Sequence, residues 1–279
     1  MRGYSFIGSL FFLTLLSCQV PTADFPETVD LLVVEGWITN EPGPYSVRLT
    51  RTNSFENDQS PQGVTTAIVE VRDNSGNIYP YSHSNDGLYL SDSTTQGVIG
   101  NSYQIFIYLE NGDTISSNFQ TLLDVHEIEI LTYDFFLGQT EENPGEEEEI
   151  YYPVIFATDP PEQTNFYRWN IARNDSLFAS PQDLVLYEDR FISGFYKNEF
   201  TGFEFLEGDT ITAEVQSLSR QAYQYLLQFK TQTTSIGTSS GISPSGIRGN
   251  LINQSNPSQT VLGFFSASTL RREQAVIIP

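Results

Sequence analysis

Proton transfer or metal binding near neutral pH would fall first to the two histidines, His83 and His126, because imidazole alone titrates there unperturbed. His126 is followed by Glu127 and Glu129, a grouping that could supply metal ligands or an acid–base pair. In a strand, successive side chains point to opposite faces, so His126 would point away from both glutamates. His83 stands between Ser82 and Ser84 near a turn. Both histidines therefore read as surface or internally satisfied polar residues. A hydrolase triad needs a nucleophile, a base and an orienting acid brought together, and plentiful serines make chance combinations uninformative. The phosphate-binding glycine loop and the His-Glu-x-x-His zinc motif do not occur. With 35 Asp and Glu residues, carboxylate pairs are inevitable. Glycoside hydrolysis would need two of them facing across a cleft, and nothing in the sequence selects a pair. The acidic stretch Leu137–Glu149 (LGQTEENPGEEEE) has adjacent glutamates, not the alternation of a calcium loop. It reads as a solvated surface loop. No catalytic, cofactor or metal residue is assigned.

Cys18 is the one residue placed for a specific modification, and it is the chain's only cysteine. Arg2 supplies a short positive segment, Phe6–Leu16 an apolar core, and Ser17 a small residue before the cysteine. This order is that of a secretory signal, and the apolar run is too short to span a bilayer. Leu15-Leu16-Ser17-Cys18 resembles a bacterial lipobox, which implies cleavage after Ser17 and lipid on Cys18. Residues 1–17 are thus expected to be a signal peptide and residues 18–30, with two prolines, a flexible tether. A single cysteine permits no intrachain disulfide and no cysteine-based zinc site.

A formal net charge of −22, from 13 basic and 35 acidic residues, repels phosphates and anionic surfaces and excludes a nucleic-acid partner. Hydrophobic content of 39% and aromatic content of 13% suffice for a packed core. Among the aromatics, Trp37, Tyr133, Phe135, Tyr151, Tyr152, Trp169 and Tyr196 could include a sugar or peptide platform. Core packing is the expectation for both tryptophans, and a surface position for Tyr151 and Tyr152.

The pattern that must position these residues is mainly β. Leu31–Ile38 is apolar and β-branched. Tyr45, Val47 and Leu49 alternate with polar residues, as do Ala67, Val69 and Val71, and Tyr103, Ile105, Ile107 and Leu109 share a face. Asp73–Asn77 reads as a turn and Asn111-Gly112 as a type I′ hairpin. Residues 31–120 are expected to form an immunoglobulin-like antiparallel β-sandwich. Residues 121–279 are expected to be a second β-rich region, with Tyr167, Trp169 and Ile171 on one face. Its one amphipathic helix is expected near 218–230, with Leu218, Ala222, Tyr225, Leu226 and Phe229 inward and Ser217 or Ser219 as cap. Thr233–Gly246 reads as a low-complexity loop.

The segments LVVEGWITNEPGPYSVRLTRT (Leu32–Thr52), GLYLSDSTTQGVIGNSYQIFI (Gly87–Ile107), GNLINQ (Gly249–Gln254) and LGFFSASTLRR (Leu262–Arg272) resemble the family catalogued as domain of unknown function 4249. The resemblance implies a lipoprotein of Bacteroidota, encoded beside TonB-dependent outer-membrane receptors. It carries over no site residues. The expectation is a non-enzymatic, lipid-anchored outer-membrane protein. It would bind a ligand or partner as accessory to such a transporter. A structural or adhesive envelope protein, and a secreted hydrolase with a carboxylate pair, are the alternatives.

Overall fold

The computed structural model describes residues 30–52, 60–139, 145–159, 164–190, 194–235 and 247–278. Cys18, the expected signal peptide and nearly all of the expected tether lie outside them. The described residues are mainly β, 55% strand and 8% helical.

The N-terminal part supplies β1 (Leu32–Thr39), β2 (Ser46–Arg51), β3 (Gln62–Gly63), β4 (Ile68–Asp73), β5 (Ile78–Asn85), β6 (Leu88–Ser91), β7 (Ser102–Tyr108), β8 (Thr114–Ser117) and β9 (Gln120–Thr121). The middle supplies β10 (Ile128–Gly138), β11 (Glu148–Asp159), β12 (Phe166–Arg173), β13 (Ser176–Leu177), β14 (Val185–Glu188), β15 (Gly194–Glu199) and β16 (Thr210–Leu218). Helix α1 (Arg220–Ser235) follows, then β17 (Leu251–Asn253), β18 (Leu262–Ser268) and β19 (Leu270–Val276).

The first sheet runs β17-β8-β7-β4-β5-β6-β2-β1-β18, with β3 and β9 at its margins. It is one continuous hydrogen-bonded path, not the two separate sheets expected for residues 31–120. It also draws in β17 and β18 from beyond residue 250, across the boundary expected at 120. β1 pairs in parallel with β18, from Val33 opposite Leu262 to Thr39 opposite Ser268. The terminal strands β17 and β18 come together, so the sheet rolls almost shut. Val34, Val47, Leu49, Val69, Val71, Tyr103, Ile105 and Ile107 fill its interior, the residues whose period-2 alternation marked them as inward.

The seam is closed by a side chain. Asn250, buried, donates from Nδ2 to the Phe265 carbonyl (2.8 Å) and accepts from the Phe265 N–H (3.0 Å). Its own carbonyl accepts from the Asn118 N–H, which carries the ladder on beside β8. Gly249 and Gly263 cross at the same seam. A Cβ on Gly249 would sit 1.5 Å from the Gly263 carbonyl oxygen, and Gly263 has φ +93° with no room for a Cβ against Val34. Both positions therefore need glycine.

Sheets two (β10-β11-β15) and three (β13-β12-β16-β19, with β14 on β12) pack face to face. Their shared core holds Ile155 and Tyr151 from one side and Tyr167, Trp169, Ile171, Ala213 and Val215 from the other. Helix α1 lies against the outer face of sheet three and against β18, burying Ala222 with Phe166, Leu218 and Phe264. Ser219 caps it, its Oγ accepting the Ala222 N–H at 3.1 Å. The helix starts and ends later than 218–230, because Leu218 stays in β16, and Phe229 is exposed.

β18 leads into β19 through Thr269, so one ribbon serves both bodies. Asn40 repeats the device of Asn250 at this crossing: Nδ2 donates to the Leu270 carbonyl (3.2 Å), and Oδ1 accepts the Leu270 N–H (2.6 Å). Ser217 Oγ donates to the Leu123 carbonyl (2.7 Å) and accepts the Thr269 N–H (2.8 Å).

Two local expectations are corrected. Asn111 does not take positive φ; Gly112 alone does (φ +88°). The Gly112 N–H donates to Leu109, so the turn is the type I form followed by a left-handed glycine, with Asn111 Oδ1 accepting the Asp113 N–H. The acidic stretch 137–149 is also shorter as a loop. Leu137 and Gly138 pair with Glu149 and Glu148, extending the β10–β11 hairpin. Backbone pairing there costs no carboxylate burial, since Glu149 stays exposed. Residues 140–144 and most of the expected 233–246 loop lie outside the described residues.

Candidate functional site

Three places hold side chains that could act on or bind another molecule: an internal polar cluster, a pocket on sheet three, and the outer face of sheet two. The cluster forms where strand ends of sheets two and three converge. Asp159 ends β11 and Asp189 follows β14; they are 1% and 3% exposed. Tyr167 donates to Asp159 Oδ1 at 2.7 Å, and the Asn165 N–H donates to Asp189 Oδ1 at 2.8 Å. Burial, opposed by the Tyr167 hydrogen bond and reinforced by the nearby Asp189 charge, pushes Asp159 up to about 6. Asp159 therefore keeps its proton at mildly acid pH. Asp189 Oδ2 is buried with no hydrogen-bond partner among the described residues.

His126 sits beside the pair, buried, not in a strand but just ahead of β10. Its Nε2 shares a 2.7 Å hydrogen bond with the Tyr196 hydroxyl, and its ring stands edge-on to Tyr167 at 4.7 Å. Nδ1 is buried without a partner among the described residues. Burial holds its pKa down at about 4, against the opposing charges of Asp189 and Glu129. His126 is thus neutral at pH 7, while Glu127 and Glu129 are exposed and apart from it in role. Glu127 pairs with Arg271 at 2.7 Å. Among the described residues no group of three His, Cys, Asp or Glu side chains could hold a metal ion. The cluster has the acid, base and phenol types of a reaction centre, but it is enclosed.

The pocket, about 310 Å³, lies on the outer face of sheet three and does not reach the cluster. Its polar groups already satisfy one another. Glu214 accepts from Asn170 (2.6 Å) and from Arg272 (2.7 Å), and Gln274 donates to Thr212 (2.9 Å). A ligand there would have to displace this network.

Sheet two presents a different surface. Its inner residues meet sheet three, and its outer face leaves several large apolar side chains exposed. Ile130 of β10 lies opposite Phe156 of β11, and Phe156 stacks on Phe195 of β15 at 5.7 Å. Phe136 lies 6.4 Å from Tyr152 on the same face. Ile130 is 53% exposed and Phe195 62%. A contiguous row of this kind marks contact surfaces in soluble proteins.

Of the residues singled out in the sequence, Trp169 is core (1% exposed), but Trp37 is 50% exposed. Trp37 faces outward from β1, between inward Gly36 and Ile38. Tyr151 is buried, not at the surface, because its ring turns inward against Tyr133 at 5.5 Å. Tyr152 is half-buried on the outer face. Tyr196 belongs to the cluster, and Phe135 is exposed near the hairpin tip. His83 is exposed against the edge of Tyr89. Cys18 lies outside the described residues. A Gly-x-Ser-x-Gly pattern at Gly237–Gly241 also lies outside them. Sequence reading missed Asp159, Asp189 and the Ile130–Phe156–Phe195 row. Each depends on pairing between distant segments, and local spacing carries no signal for it.

No curated protein matches the chain. The profile of a domain of unknown function, DUF4249, matches residues 21–274, nearly the whole length. This agrees with the resemblance seen in the four quoted segments. The chain belongs to the DUF4249 family.

Proposed function

We propose that this protein is a non-enzymatic lipoprotein of the outer membrane, anchored through Cys18, that binds a partner as accessory to a TonB-dependent transporter. The observation that carries the binding reading is the apolar row Ile130–Phe156–Phe195, exposed at Ile130 and Phe195 and half-buried at Phe156, on an otherwise acidic molecule. Leaving such side chains in water costs roughly 25 cal/mol per Å² of apolar surface, which a docked partner would recover. The closed state of the Asp159–Asp189 pair supports a structural role for it over a hydrolytic one. The position of Cys18 behind an apolar core and Ser17 supports the anchor.

The test is an affinity pull-down of the native protein from detergent-solubilised envelopes, with Cys18→Ala in parallel. The expected result is stoichiometric recovery of a TonB-dependent receptor with the native protein and loss of membrane association by the variant. A preparation free of receptor despite normal anchoring would overturn the accessory role in favour of a structural or adhesive one.

A further inference from the structure

We infer that the outer face of sheet two and the free edge of β15 together form a docking surface. Its occupant is an extended segment of a different protein, apolar with lysine or arginine, which adds as a fourth strand. The inference rests on the partner-binding reading above and names its surface and occupant.

The two edges of sheet two differ. β10 also ends the sheet, but it runs beside β19, and its Tyr133 hydroxyl donates to the Ile278 carbonyl (3.1 Å) and accepts the Ile278 N–H (3.0 Å), which leaves less room for an added strand there. β15 ends the sheet and pairs with no other described strand. An open edge presents unpaired N–H and C=O groups that template a further strand. The aromatic row runs across the sheet toward this edge, from Ile130 through Phe156 to Phe195, and stops there. A strand laid along β15 would place alternate side chains on the same face, next to Phe195.

Charge selects the occupant. Among the described residues of this outer face the one cation, Lys197, is already held by Glu199 at 2.5 Å, and Asp134 adds another carboxylate. The whole chain carries −22. A second copy would therefore bring carboxylates against carboxylates, whereas a basic segment meets complementary charge.

The experiment places a benzophenone photo-cross-linking amino acid at Phe195 or, as control, at Ile78, which is equally exposed on the first sheet. Each full-length protein is irradiated in its native envelope at low and high salt. The expected result is an adduct at Phe195 with a heterologous protein, mapped by mass spectrometry to an extended basic-apolar segment. Its yield should exceed the Ile78 yield at least tenfold and fall severalfold in high salt. Amides of residues 195–199 should exchange hydrogen more slowly in the complex. Adducts only to a second copy, equal yields at both positions, or unprotected β15 amides would each overturn it. A receptor that co-purifies but cross-links equally through Ile78 overturns the docking surface and leaves the accessory reading standing. A salt-sensitive Phe195 adduct to a protein other than a receptor does the reverse.

Discussion

The side-chain amide of Asn250 stands in for a strand, giving and taking the two hydrogen bonds that the backbone of Phe265 would otherwise exchange with a neighbour. Both groups are buried, and a buried unpaired N–H or C=O costs about 1–3 kcal/mol.

Asn250→Ala should therefore destabilise the protein by about 2–5 kcal/mol, read from urea unfolding. Asn250→Asp should cost at least as much at pH 7, because its carboxylate could still accept from the Phe265 N–H but would be a buried charge set against the Phe265 carbonyl. A loss below about 1 kcal/mol for the alanine variant would show that the amide's two-way geometry is not what holds the seam.

The buried acid pair and His126 should pull stability in opposite directions with pH. The folded pKa of Asp159, about 6, lies above its ordinary value of 3.8. Its contribution is full below about pH 4 and is lost as pH rises through 6. The folded pKa of His126, about 4, lies below 6.5. Its contribution is full above 6.5 and is lost as pH falls toward 4. Asp159→Asn should unfold at higher urea than the parent at pH 8, by on the order of 2 kcal/mol, with the advantage gone near pH 4. Midpoints that track the parent at every pH would refute the raised pKa of Asp159.

The two tryptophans should report separately. Trp37 should be quenched readily by acrylamide and Trp169 hardly at all, given exposures of 50% and 1%. Trp37→Phe should leave stability within about 0.5 kcal/mol. Trp169→Phe should remove the blue-shifted emission and lose on the order of 2 kcal/mol. Similar quenching of both single-tryptophan variants would contradict the packing of β12.

Ser219→Ala removes the side-chain acceptor for the Ala222 N–H and should cost about 0.5–2 kcal/mol. Because α1 also packs on Phe166 and Phe264, the loss should appear as global unfolding at lower urea, not as a drop in helical circular dichroism alone.

What could be read from the sequence was what local spacing encodes. Tyr45, Val47 and Leu49, Tyr103, Ile105 and Ile107, and Tyr167, Trp169 and Ile171 all point inward as their alternation required. The turn at Asp73–Asn77 forms with Gly76 at positive φ and Asp73 accepting from Ser75 and Asn77. Which strands pair is not a local property. Nothing around Val33 announces Leu262 as its neighbour, and nothing around Asp159 announces Asp189. Trp37 was misjudged because residue type outweighed parity: it is out of phase with Val34 and Ile38. Glu148 and Glu149 were given to a loop because charge suggested solvent, yet a strand can pair its backbone and still hold its carboxylates in water.

The shared β18–β19 ribbon sets the order of events in folding. Asn40 and Leu270 are 230 positions apart, so the first sheet lacks both its closing strands until residues 251–268 have been made. The early segments must wait, unsealed, and contacts of such separation form slowly. Closure of the first sheet and completion of the third therefore wait on the same ribbon, and removing β18 and β19 should leave neither body closed.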